Sequence, residues 1–368
     1  FFIASLFTTG LLTACSKKEE TTTKEGPNSA TVFNVLATSD LRDAEELETK
    51  VKAATGIQLK FTFGGTMEST EQVLSGKSKA DAAWFANAKY LLSDPQGQSR
   101  VKLQEKIMLS PLVIGVSESA ADQLGWKPGV KVSWKTVTDA ASAGKLRYAM
   151  SNPASSNQGF MAVMGVVAAS SGKTEALTAQ DVNIPVIRDF LKGYRLVGDN
   201  STYLAKKFIE QQGNEGKDSI NAFINYENWL LALNNGGKLK EKLRLIYPHE
   251  GVATADYPLM LLNESRREDY QKIIAYLKSE EAQIWLAKTT LRRPLSPEVL
   301  KQVDSLFPKD QLLIELPFST DRLLADTLIE AYLNEFRKPI ASTFLIDTSG
   351  SMKEGTRAAD LIQALQFI

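Results

Sequence analysis

From Thr31 onward, short apolar runs alternate with stretches whose apolar residues recur at helical spacing. Val32-Phe33-Asn34-Val35-Leu36-Ala37 is such a run; it stops at Thr38-Ser39-Asp40 and reads as a buried strand. Leu41 to Thr55 follows with apolar positions at Leu41, Ala44, Leu47, Val51 and Ala54. Gly56 ends that predicted helix, and Ile57 to Phe63 is the next strand. Together they form one βαβ unit of a parallel sheet. A second turn, Gly64-Gly65-Thr66, leads into a helix over Glu68 to Ser75, and Ala80 to Ala86 returns as a third strand. This is the order of an open α/β sheet, where ligand loops gather at the carboxyl ends of strands. Further along, Pro111 opens the apolar run Leu112 to Val116, and Asp321 to Lys338 reads as a helix with Leu324, Leu328, Ala331 and Tyr332 on one face, ended by Pro339.

The first thirty residues break this pattern. Phe1 to Ala14 is apolar, too short to span a bilayer, and ends in small residues, as the core of a signal peptide does. Leu12-Thr13-Ala14-Cys15 resembles the lipobox of bacterial lipoproteins, which implies lipidation at Cys15. Ser16 to Ala30 is almost devoid of apolar residues and is expected to be a disordered tether. The mature protein is therefore expected outside the inner membrane, in the periplasm or on the outer membrane of a two-membrane bacterium, held by its lipid.

Composition narrows the chemistry. At 368 residues the chain has room for two or three domains, and 43% hydrophobic residues supply a sizeable core. Lys plus Arg and Asp plus Glu each number 43, which argues against nucleic-acid binding. One cysteine and one histidine, His249, exclude a disulfide framework and Cys- or His-rich metal sites. No serine, histidine and acid triad is recognisable, and Glu45-Glu46 and Glu280-Glu281 read as solvated helix faces, so an enzyme is not expected.

Ligand chemistry is suggested most sharply by Ser151-Asn152-Pro153-Ala154-Ser155-Ser156-Asn157-Gln158-Gly159, which precedes the apolar helix Phe160 to Ala169. Ser155, Ser156 and Asn157 suit a helix N-terminus, where free N–H groups and the helix dipole favour an anion or a carbonyl. Two roles fit these side chains, helix cap or ligand contact. Thr38, Ser39 and Asp40, then Gly64, Gly65 and Thr66, and then Asn87 have the same character after successive strands, where each loop alone also fits an ordinary turn or cap.

The segments ATSDLRDAEE, FGGTMESTEQ, ADAAWFANAKYL, IMLSPLVIGV, SNPASSNQGF and FINYENWLLAL resemble, in this order, the extracellular solute-binding proteins of the type II periplasmic fold, nearest the branch that includes molybdate-binding proteins. The resemblance spans residues 31–337 and implies two α/β lobes around a ligand cleft. Lobe one would combine 31–112 with 256–337 and lobe two would be 113–255, with crossings near Met108 to Val116 and Val252 to Leu262. It adds Tyr226 and Glu227 to the candidate ligand residues, for which a core tyrosine with a solvated carboxylate is the alternative reading.

After Pro339, Ser342 to Met352 (STFLIDTSGSM) resembles the opening of a von Willebrand factor A domain, a Rossmann-like fold of which residues 338–368 would supply the first strand and helix. That resemblance implies a metal-ion-dependent adhesion site in which Asp347, Ser349 and Ser351 serve Mg²⁺, incomplete without later ligands, and a protein partner for the module. Hard oxygen donors suit that ion. No cofactor is expected for the solute-binding part. The expected function is a lipid-anchored binding protein that captures or senses a small polar or anionic ligand; the alternative is a receptor delivering solute to an ABC transporter.

Overall fold

The computed structural model describes residues 31–173, 176–214, 216, 219–309, 311, 313–316, 321–337, 346, 349–353 and 355–365. Its strands in chain order are β1 (Thr31–Thr38), β2 (Ile57–Gly64), β3 (Ala82–Trp84), β4 (Leu103–Lys106), β5 (Met108–Ser117), β6 (Tyr148–Ser151), β7 (Tyr194–Gly198), β8 (Ala222–Tyr226), β9 (Leu243–Ile246), β10 (Thr254–Ala255), β11 (Pro258–Leu261) and β12 (Arg293–Pro294). Cys15 and the tether fall outside the described residues.

β1 is apolar almost throughout because both of its faces are covered. Phe33, Val35 and Ala37 pack with Leu47 and Val51 on one side, while Leu36 packs with Val73 and Leu74 on the other. Around it forms a five-stranded sheet in the order β2-β1-β3-β11-β4, with β1, β2 and β3 parallel and β11 antiparallel to both neighbours. The helix Leu47–Thr55 joins β1 to β2 and ends at Gly56, whose φ of 75° is the left-handed conformation glycine adopts without penalty. It begins later than the sequence suggests, after a 3₁₀ segment over Ser39–Ala44. There Arg292 donates to the Asp40 carbonyl at 2.7 Å, drawing on an oxygen that a regular α-helix would use internally.

The seven-stranded sheet runs β10-β5-β8-β6-β7, with β9 and β12 also paired to β5. β6 lies parallel to β7 and β8, and β5 antiparallel to β8. Val113, Ala149 and Phe223 face one apolar cluster, and Ile114, Met150 and Ile224 the other.

The chain passes from the first sheet to the second at Ile107, between β4 and β5, and returns at Asp256 and Tyr257, between β10 and β11. The two passages lie side by side, since Thr254 and Ala255 pair antiparallel with Pro111 and Ser110, and Pro258 pairs with Lys106. Within β5, Leu112 already pairs with Tyr226 in the second sheet. Helices Arg267–Leu277 and Glu280–Thr290 pack back on the five-stranded half. By contrast, the helix Arg322–Ala331 lies against the helix Asn157–Ser171 of the other half. Further on, Ser349 precedes a 3₁₀ turn over Gly350–Lys353 that contains Ser351, a helix covers Arg357–Leu365, and Asp347 lies outside the described residues.

Candidate functional site

Six parallel strands, three from each sheet, deliver their carboxyl ends to one cavity of about 30 Å³. From the five-stranded half come Thr38, Ser39 and Asp40 after β1, Gly65 and Thr66 after β2, and Ala86 after β3. From the other half come Ser155, Ser156, Asn157 and Gln158 after β6, Asp199, Asn200 and Ser201 after β7, and Tyr226 at the end of β8. The lining therefore includes Ser39, Asp40, Gly65, Thr66, Ser155, Ser156, Asn157 and Tyr226, as the sequence proposed. Gln158 and the Asp199–Ser201 corner were not singled out there. The only signal for that corner was an Asn and Ser pair opening a helix, too common a pattern to stand out.

Helix starts dominate the wall. Those of Thr66–Leu74, Asn157–Ser171 and Glu227–Asn235 have as their N-caps Gly65, Ser156 and Tyr226, and none of these makes a side-chain cap hydrogen bond. The first-turn N–H groups of Thr66–Leu74 and Asn157–Ser171 are thus left without a capping side chain beside the cavity, whereas the Asn228 amide of the third helix donates to Ser110 Oγ at 3.2 Å. The fourth helix, Ser201–Gln211, is capped by Asn200, whose side chain accepts from the Tyr203 amide at 2.8 Å.

The serine side chains chosen from sequence make no cap hydrogen bond, although Ser156 holds the N-cap position. Ser155 Oγ donates to Asp199 Oδ1 at 2.9 Å, and Ser151 Oγ donates to Ser156 Oγ at 2.9 Å. Asn157 Nδ2 donates to Tyr226 Oη at 2.7 Å. Because Asn157 uses the tyrosine oxygen as an acceptor, the hydroxyl proton is left for another partner. Burial pushes the Tyr226 hydroxyl pKa well above its usual range, with the Asp40 charge adding to the effect, so it stays a donor. Thr38 is 2% exposed and its Oγ1 has no hydrogen-bond partner, a cost that a bound ligand would remove. Gly159 serves packing: a Cβ there would lie 2.1 Å from the Ser151 carbonyl oxygen, so glycine alone lets the helix sit against β6.

Both carboxylates expected from sequence to touch ligand are otherwise engaged. Asp40 lines the cavity, yet it accepts from Trp229 Nε1 and Tyr257 Oη, and from Arg292 Nη2 at 3.1 Å. Arg292 is fully buried and also pairs with both oxygens of Asp43, at 2.9 and 2.7 Å. Glu227 is 0% exposed and does not line the cavity; Arg293 holds it from Nε at 2.6 Å and Nη2 at 2.8 Å, and Tyr247 Oη donates to it. That corrects the ligand role expected of Glu227. Asn87 is also away from the cavity: its Oδ1 accepts from the Lys89 amide at 2.6 Å and shapes the turn after β3. Lone His249 lies in a loop, with its Nδ1 3.2 Å from the Val132 carbonyl.

No lysine or arginine lines the cavity among the described residues. Nor do these residues contain a group of three or more His, Cys, Asp or Glu side chains able to hold a metal ion. What the wall offers is neutral hydroxyl and amide donors together with one exposed carboxylate, Asp199.

Two α/β halves joined by paired crossing strands, with a cavity at converging strand ends, define a ligand-capturing protein. The chain belongs to the bacterial extracellular solute-binding protein family, whose model matches residues 33–291. Solved structures share the fold at low identity. The periplasmic binding protein AfuA from Actinobacillus pleuropneumoniae, with exogenous fructose-6-phosphate bound, is 14% identical with a TM-score of 0.62, over 83% of this chain and 99% of that one. A periplasmic thiamin binding protein is 11% identical with a TM-score of 0.61, over 83% and 96%. Iron-bound HitA from Pseudomonas aeruginosa is 14% identical with a TM-score of 0.57, over 83% and 99%. A search of curated protein sequences found no match. An extracytoplasmic place is usual for this family, and no helix among the described residues is long and apolar enough to cross a membrane.

Proposed function

We propose that the protein captures a small anion that carries at least one hydrogen-bond donor of its own, and closes its two halves over it. The observation that carries this reading is the meeting of two helix starts without a capping side chain, those of Thr66–Leu74 and Asn157–Ser171, and the unpartnered Thr38 hydroxyl at a cavity without cationic side chains. Convergent neutral donors stabilise a negative charge when water is excluded. Asp199 supports the second half of the reading, because an ionised carboxylate only accepts hydrogen bonds and repels an anion that has no proton to give. At about 30 Å³ the closed cavity has room for little more than one or two waters, so a ligand as large as a sugar phosphate requires the halves to part.

The test is calorimetric titration with hydrogen phosphate, sulfate, molybdate and short carboxylates, beside ferric ion and thiamine as non-anionic controls. Saturable anion binding that is weakened by Ser155→Ala with Ser156→Ala supports the reading. Binding of a control alone, or of an anion indifferent to that pair, overturns it.

We place this capture outside the cell's inner membrane on a lipid at Cys15, where Cys15→Ala would release the protein into the soluble fraction. We also read Ser342 to Met352 as the opening of a von Willebrand factor A module, with Asp347, Ser349 and Ser351 as oxygen donors toward Mg²⁺ and a protein partner for the module. Delivery to an ABC transporter is a second reading. It is favoured by likeness to the substrate binding protein of an ABC transporter from Agrobacterium tumefaciens, 14% identical with a TM-score of 0.58. Restored uptake of the bound anion by a matching permease would decide for delivery.

A further inference from the structure

The last helix of the solute-binding fold touches both halves, and its two ends do so differently. Leu324, Ala325 and Leu328 bury its apolar face, and it packs on the helix Asn157–Ser171 and on the turn Ala179–Asp181, both in the seven-stranded half. Just beyond it, Glu335 lies 3.3 Å from Arg188 of the same half. At its start, however, Arg322 reaches the five-stranded half. The guanidinium sits over the Tyr90 ring at 4.5 Å, 3.7 Å from Asp94 and 3.9 Å from Glu71, while Asp326 on its own helix orients it at 2.8 Å.

Tyr90 is itself a meeting point. Its ring meets Phe160 edge-on at 6.2 Å, and Phe160 stands in the first turn of the helix whose start lines the cavity. Upstream, the chain is pinned beside the crossing strands: the Val252 amide donates to the Ile314 carbonyl at 2.8 Å, the Leu316 amide donates to the Val252 carbonyl at 2.9 Å, and Glu315 lies 3.6 Å from Lys89.

We infer that this C-terminal segment is a strap across the two halves that holds them closed, with Arg322 as the end that lets go. Separating the halves must either peel buried Leu324 and Leu328 from their helix or part Arg322 from Tyr90, Asp94 and Glu71. The second path is easier. Those contacts are part-exposed and screened by salt, whereas the first path exposes apolar surface. Arg322 Nη1 is buried without a hydrogen bond, so the clasp is loosely made and has an unused donor with which to tighten.

The strap is tested on the ligand-free full chain by hydrogen exchange together with small-angle scattering, using Arg322→Ala and Arg322→Lys. Arg322→Ala is expected to speed exchange of the cleft-lip amides, Gly65 to Ser69 and Asn157 to Met161, by about two- to five-fold, the factor matching loss of one cation–π contact at a partly exposed site. The radius of gyration should rise, and the amides of Leu324 to Ala331 should stay protected. Arg322→Lys, which keeps the charge but lacks the planar face, should fall between. Unchanged lip exchange and scattering in Arg322→Ala would overturn the strap, as would faster exchange confined to the last helix with the lips unaffected.

Discussion

The cleft and the crossing strands beside it use polar side chains in opposite ways. Near the crossings, charge is concentrated in buried ion pairs: Arg292 with Asp40 and Asp43, Arg293 with Glu227, joined by Tyr247 and Tyr257. In the cleft no lysine or arginine lines the wall among the described residues, and hydroxyls, amides and helix starts face a small cavity beside the carboxylates of Asp40 and Asp199. The difference follows from what each place must do. A buried ion pair fixes one geometry, because separating its members leaves charge without water or partner. A site that takes up and releases a ligand must leave donors free between cycles, and neutral donors tolerate that at far lower cost. Carboxylates close in sequence to the cleft were therefore drawn into the neighbouring network.

Breaking the ion pair gives the largest expected effect. Arg293→Ala strands the fully buried carboxylate of Glu227, and about 3–5 kcal/mol of unfolding free energy should be lost in urea titrations. The pair Arg293→Met with Glu227→Gln should recover most of that loss. If Arg293→Ala proved as stable as wild type, the crossing region would not be the rigid partner described here.

Next in size is the double change Ser155→Ala with Ser156→Ala. Each hydrogen bond to a charged ligand contributes about 1.5–3 kcal/mol, so affinity for the tightest-binding oxyanion should fall roughly a hundredfold or more. Stability should shift by less than about 1 kcal/mol, because neither serine side chain makes a cap hydrogen bond. A large drop in melting temperature with affinity retained would turn the comparison around and make these serines part of the scaffold.

Asp199→Asn sharpens the contrast on the ligand's side. Replacing an acceptor-only group with one that also donates should lower the preference for hydrogen phosphate over sulfate by about tenfold, roughly the 1.4 kcal/mol of one charge-assisted hydrogen bond. An unaltered ratio at fixed pH would remove Asp199 from ligand selection.

Much of this division was legible in the sequence. The alternation of apolar runs with helical periods placed β1, β2 and β3 and their carboxyl-end loops correctly, because local periodicity decides such elements. The small polar residues after β1 and β2 do meet at one cavity, whereas Asn87 after β3 stays outside it. What sequence could not show was partnership over distance. Asp40 and Glu227 read as candidate ligand residues because their arginines lie 252 and 66 residues further on, and nothing local marks Arg292-Arg293 as buried. Asp199 escaped notice for the converse reason: its turn is ordinary, and it becomes a wall only when β7 lies beside β6. The strap was read as a plain amphipathic helix closing the first lobe, since periodicity reveals an apolar face but not the half it covers.

The smallest expected effect isolates what the cleft does with an unpaired donor. Thr38 Oγ1 is buried without a partner in the free protein, so it carries a desolvation cost that folding does not repay. Thr38→Val keeps the shape and removes the hydroxyl, and the ligand-free protein should be unchanged or more stable by up to about 1 kcal/mol. With ligand present the sign reverses, because a donor held ready in the wall is lost and affinity should weaken by about 0.5–1.5 kcal/mol. Thermal unfolding with and without the anion measures both changes in one experiment. Opposite signs identify Thr38 as a group kept for the ligand. If the substitution destabilises the free protein and leaves affinity alone, its hydroxyl belongs with the paired groups near the crossings, and the boundary between the two regions lies closer to β1 than the cavity wall suggests.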